Sequence, residues 1–141
     1  MNTRLLAAVL AIAMPLAAAA QDFNAQQSGL SQPVIALTAA LAKNADALNL
    51  DDQQRAALKA WMDEMPAKRM AVEKETVALR SELRHKIVSG APVAEREALA
   101  RQIGDKETEL VMMRSGCADH WREVLTADQF AALLKIAKVT E

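Results

Sequence analysis

Ser89-Gly90-Ala91-Pro92 is the clearest turn in this chain of 141 residues, and it separates two long apolar repeats. Its glycine can stop one helix and its proline can open the next. Upstream, Leu58, Met62, Met65, Arg69, Val72, Thr76, Leu79 and Leu83 recur at alternating spacings of four and three. Downstream, Leu99, Ile103, Leu110, Met113, Cys117, His120 and Val124 form a second seam, with Lys106 a polar interruption and Gly104 and Gly116 two weak points. Seams of this period predict long helices packed lengthwise on one another. Two long helices joined by so short a turn must fold back as an antiparallel hairpin. With the turn centred on Gly90-Ala91, residues whose numbers sum to about 181 face each other. That register sets Met62 and Met65 across from Met113, Cys117 and His120, and brings Trp61 close to Trp121.

Composition points the same way. Hydrophobic residues make up 52% of the chain but aromatic residues only 3%, with no tyrosine, 4 glycines and 4 prolines. Alanine, leucine and the long charged residues favour helix, while the residues that build sheets and turns are scarce. A β-sandwich or barrel is excluded, and the four scattered glycines assemble no phosphate-cradling loop. The formal charge of −1 creates no strong field toward nucleic acid. The expected architecture is all-α: a long antiparallel helical hairpin with short flanking helices, forming a curved dimer.

The helix ends carry specific chemistry. Asp51 can accept the free N–H groups of a first helical turn while Gln54 reaches back to its backbone, a capping box that starts the first long helix. Thr126 and Gln129 make a second box, opening a last helix with Phe130, Leu133, Leu134 and Ile136 as its apolar surface. Pro66 sits inside the first seam, where it removes one helical hydrogen bond and predicts a kink or break near residues 62 to 66. A short helix is expected to begin at Pro33 and run through Val34, Ile35, Leu37, Ala40 and Leu41 to end around Asn44 to Leu48.

Met1 to Ala20 reads as a secretory signal: one positive charge at Arg4, an apolar run from Leu5 to Leu16, then small residues at Ala18 and Ala20 before the cut. The run is too short for a permanent membrane span. Cleavage after Ala20 takes the formal charge from −1 to −2 and leaves a soluble, exported chain with no membrane insertion, for which a bacterial periplasm is the expected compartment. Residues 21–32 are polar and expected to be a flexible lead-in, and residues 33–141 a single helical domain. Cys117, the one cysteine, is expected to be buried, metal-bound or available for an intersubunit bridge.

Leu125-Thr126-Ala127-Asp128-Gln129 is a complete LTxxQ motif, and Leu50-Asp51-Asp52-Gln53-Gln54 is the same motif with Asp in place of Thr. Two such motifs around two long helices, in an exported Met-rich chain of this size, resemble the Spy/CpxP family from about Leu48 to Ile136. The resemblance implies periplasmic helical proteins that dimerise into a curved cradle. It also implies three possible jobs: ATP-independent chaperoning of unfolded or misfolded envelope proteins, restraint of a sensor kinase through its periplasmic domain, and metal sensing or resistance. Asp is as good an N-cap as Thr, so the departure at Asp51 preserves capping. Leu50, Asp51, Gln54, Leu125, Thr126 and Gln129 are best read as architecture that holds helix starts and packing.

Catalysis finds little support, because no oxyanion-hole loop accompanies the Cys117 and His120 pair and no convergent acid and base appear. Met113, Cys117 and His120 lie at i, i+4 and i+7 on one helix face. With the facing methionines they offer a sulfur-rich cluster suited to a soft ion such as Cu(I). Met62, Met65, Arg69 and Met70 are the candidate client-binding residues, since flexible thioethers accept many apolar shapes and a basic helix draws acidic clients. Met and Cys also fill ordinary helical cores, and the charges can pair with Glu64, Glu73 and Glu82 as a solvated face.

Overall fold

The computed structural model describes residues 29–139; the signal expected over residues 1–20 and most of the lead-in expected over 21–32 lie outside them. Four helices follow in order: α1 (Thr38–Lys43), α2 (Asp52–Val88), α3 (Val93–Val124) and α4 (Ala127–Ile136). No strand occurs among the described residues. At 37 and 32 residues, α2 and α3 are by far the longest elements. With a rise of about 1.5 Å per residue they extend roughly 50 Å each.

Each end of α2 is closed by the residues expected to close it. At its start the Asp51 side chain accepts the Gln54 backbone N–H at 2.8 Å, and the Gln54 side-chain oxygen accepts the Asp51 N–H at 3.1 Å. At its end Gly90 adopts φ +71°, which lets the Ala91 N–H bond back to the Lys86 carbonyl at 3.0 Å and the Gly90 N–H to Ile87 at 3.2 Å. This left-handed closure satisfies carbonyls that would otherwise face water alone. α3 then returns along α2. Lys86 pairs with Glu95 at 2.6 Å, Glu75 with Lys106 at 2.7 Å, and the Trp61 ring lies 4.1 Å from that of His120, all in the register centred on Gly90-Ala91. Arg80 adds a diagonal bridge to Glu107 at 2.8 Å.

The core lies at the end far from the turn, where all four helices meet. Trp121, Leu41 and Leu133 are fully buried there, with Leu37, Leu48, Leu50, Leu58, Cys117, Ala118 and Leu125 around them. Nearer the turn only Val72, Thr76 and Leu99 are buried, because two helices alone enclose a single line of side chains. The Thr76 hydroxyl donates to the Val72 carbonyl one turn back at 2.7 Å, so its burial leaves no polar atom unpaired.

Four expectations are corrected. α1 does not begin at Pro33: residues 33–37 are non-helical and the helix is only Thr38–Lys43, placed by the burial of Leu37 and Leu41 rather than by the proline. α2 runs through Pro66 without a break. The carbonyl that loses its helical partner there belongs to Met62, an exposed residue, where water can replace the missing N–H. Met62 itself, 47% exposed, leaves the seam, and Trp61 takes the inward position. Ile136 is exposed at the end of α4, whose buried contact is Leu133.

Candidate functional site

The two motifs are joined directly. The Gln54 amide nitrogen donates to the Gln129 side-chain oxygen at 2.8 Å, and the Gln129 nitrogen donates to the Gln54 oxygen at 3.1 Å. Each carboxamide also serves its own capping box and the backbone before the other motif. Gln54 donates to the Val124 carbonyl at 3.1 Å, while Gln129 donates to Leu48 at 3.0 Å and Asn49 at 3.3 Å. The arrangement is close to two-fold symmetric and satisfies both donors and the acceptor of each amide. Leu50 and Leu125 are buried beneath it at 5% and 6% exposure. Asp51, Gln54, Thr126 and Gln129 therefore clamp the start of α2 to the start of α4.

Trp121 anchors the neighbouring layer. Its indole N–H donates to the Thr38 hydroxyl at 3.0 Å, and the same hydroxyl lies 3.1 Å from the Cys117 sulfur. α1 is thus fastened to α3 through one threonine. Trp61 stacks on His120 at an interplanar angle of 13° and meets Trp121 at 5.6 Å. Burial of the imidazole holds its pKa below the ordinary histidine range, opposed in part by Glu123, and its Nε2 is buried with no hydrogen-bond partner among the described residues.

The candidate metal and client residues are distributed differently from the expected pairing. Met65, Met113 and Cys117 do gather, around a cavity of about 20 Å³ that Thr38, Trp61, Arg69 and Arg114 also line. His120 is not among its lining residues and is engaged by the two tryptophans instead. Met62 does not face the trio. It borders a shallow surface depression with Ala42, Ala45, Leu58 and Asp63. Two guanidinium groups beside the sulfur atoms disfavour a cation in the cavity. Among the described residues no three His, Cys, Asp or Glu side chains stand together.

Arg69 and Met70 instead help line a groove of about 370 Å³ with Leu110, Val111 and Arg114, closed on one side by Leu30 to Pro33. Met70 is 42% exposed and Val111 44%, and Met112 beside it is exposed as well. Arg69 lies 3.3 Å from Glu73, and Glu107 is held by Arg80. Arg114 has no carboxylate partner among the described residues, and burial together with the Arg69 charge pushes its pKa below that of an ordinary arginine. The client residues proposed on α2 therefore split among three surroundings: Met65 inward, Met62 on one side, and Arg69 with Met70 in the groove.

Val111, Met112 and Arg114 were not singled out from sequence. The register held the signal, since it sets Met70 opposite Val111 and Arg69 opposite Met112. Compared with protein-family models, curated proteins and solved structures, the chain matches none significantly.

Proposed function

We propose that the chain is an exported, periplasmic chaperone of the Spy/CpxP kind, which holds unfolded envelope proteins without nucleotide. In this reading the helical hairpin forms a curved homodimer, and clients are captured on its long groove. The observation that carries the reading is the groove itself, lined by half-exposed Met70 and Val111 together with Arg69, Arg114, Glu73 and Glu107. Apolar side chains left in water at mid-helix contribute nothing to the core, and methionine adapts to many shapes. Arg114, lacking a carboxylate of its own among the described residues, complements acidic groups on a client. Release follows from weak, fast binding, since apolar contact and a few charges give no slow step.

The test adds the chain from Gln21 onward to an aggregating client at substoichiometric to equimolar ratios, in chelator or with Cu(I), Zn(II) or Ni(II). Suppression in chelator supports the proposal, and Met70→Ser with Val111→Ser, or Arg114→Glu, should lower it several-fold. Failure to suppress under any condition would sink the chaperone reading. Tight Cu(I) binding lost in Cys117→Ser would then favour a metal sensor, and capture of a sensor kinase's periplasmic domain would favour an adaptor.

A further inference from the structure

We propose that the turn end of the α2–α3 pair is a docking surface for an anionic phospholipid membrane, separate from the groove at mid-helix. Ile87 to Ala94 is an eight-residue stretch without a charge, placed at the point farthest from the core. Ile87 is 54% exposed, Val93 59% and Val88 83%. Gly90 and the backbone bonds of the turn close the helix end without these side chains, and none of the three belongs to the buried core. A solvated tip would be equally well made from polar residues.

The shape selects the partner. The tip is the convex end of two helices, each about 10 Å across, and offers apolar area on the order of 300 Å². A stable protein partner needs about 800 Å² on each side, together with a complementary surface. A bilayer interface asks for neither, because apolar side chains enter the headgroup and acyl boundary to a depth of about 5–10 Å.

Charge adds the sign of the surface. The ionisable groups near the tip are Arg80, Glu82, Arg84, His85 and Lys86 from α2, and Glu95, Arg96, Glu97 and Arg101 from α3. Lys86 pairs with Glu95, Arg101 with Glu97, and Arg80 with Glu107 below. Arg84 and Arg96 have no carboxylate partner among the described residues; set against the likewise unpaired Glu82 they leave the collar with one net positive charge on a chain whose overall charge is negative. Arg84 precedes Val88 by one helical turn and Arg96 follows Val93 by three residues. Their backbone positions therefore lie about 5 Å behind the apolar tip, and the long, exposed Arg84 side chain can reach lipid phosphates when the valines enter the acyl boundary, while Arg96 is half-buried with its Nε enclosed. Arg84 also lines a surface groove with Leu83, Ala100 and Ile103, continuing apolar area behind the tip. This is surface docking: no helix among the described residues is long and apolar enough to cross a membrane.

The test is co-sedimentation of the chain from Gln21 onward, without the apolar leader, with vesicles of phosphatidylcholine alone or mixed equally with phosphatidylglycerol. Binding is expected to the mixed vesicles only. It should weaken between about 0.1 M and about 1 M salt, where the screening length falls from about 10 Å to about 3 Å. Val88→Asp with Val93→Asp should lower it at least tenfold, as should Arg84→Glu, with far-UV circular dichroism unchanged. In Val88→Trp the new indole should shift to the blue with mixed vesicles, while Trp61 and Trp121 at the opposite end do not. No binding to the mixed vesicles, or full binding by the double aspartate variant, overturns the proposal. If that variant instead loses client protection while the parent chain ignores lipid, the tip is a protein-docking surface and the membrane assignment fails. The groove variants Met70→Ser and Val111→Ser should leave vesicle binding intact, so the two proposals can fail separately.

Discussion

Gln54→Ala removes four hydrogen bonds at once: the return bond to the Asp51 N–H, the bond to the Val124 carbonyl and both bonds shared with Gln129. A neutral hydrogen bond contributes about 1 kcal/mol net, and a buried group left unpaired costs about 1–3 kcal/mol. Gln54 is only 8% exposed, whereas Asp51 is exposed and can turn to water. The expected loss is therefore about 3 kcal/mol, or roughly 12 °C in Tm at about 4 °C per kcal/mol for a domain of this size. Gln129→Ala should cost about 2 kcal/mol, since the residue is only partly buried and water can replace its bonds on the exposed side. The two shared bonds are broken in either single variant. The double variant should therefore fall short of the sum by about 1–2 kcal/mol. Urea unfolding, followed by far-UV circular dichroism and by the fluorescence of the two tryptophans, measures all four corners of the cycle. Additivity within about 0.5 kcal/mol would refute the direct pairing, and single losses below about 0.5 kcal/mol would show that the motif is not the clamp described.

The glycines should respond with opposite signs. Gly90→Ala forces a side chain into φ +71° and should destabilise by about 1 kcal/mol, while Gly104→Ala and Gly116→Ala, helical with open space at Cβ, should each stabilise by about 0.5–1 kcal/mol in urea unfolding. Thr38→Val strands the buried Trp121 N–H and removes the contact to Cys117, so it should cost about 1–3 kcal/mol and speed thiol labelling of Cys117 in the folded protein. His120 has a depressed folded pKa, so the unfolded chain binds the proton first as pH falls. Stability should be full above the ordinary histidine value near 6.5 and decline as pH drops below it toward the depressed folded pKa. His120→Gln should flatten that part of the curve, and an unchanged slope in the variant would remove His120 as the cause.

Much of the fold was legible because it depends on local chemistry. The capping residues Asp51, Gln54, Thr126 and Gln129 act within three residues of one another, and Gly90 stops a helix wherever the chain needs a left-handed residue. The register followed from the position of the turn. The candidate site was harder to read because a heptad seam describes two helices, whereas α1 and α4 also pack at one end. There the buried stripe widens, so Trp121 became the centre of the core although it lies outside the seam, and Met62 rotated out. Periodicity marks which face is apolar without marking how many neighbours will cover it.

By itself the sequence determined that the chain is helical, where its two long helices begin and end, and which residues face each other across the turn. Those outcomes rest on propensity, caps and chain connectivity, all of which operate over a few residues. Only the tertiary structure decided that the two motifs grasp each other through Gln54 and Gln129, and that Thr38 ties α1 to Trp121. It also decided that the core gathers at one end, leaving apolar side chains along the groove and at the tip in water. Those features depend on contacts between residues some 75 to 83 positions apart, whose geometry no local pattern encodes.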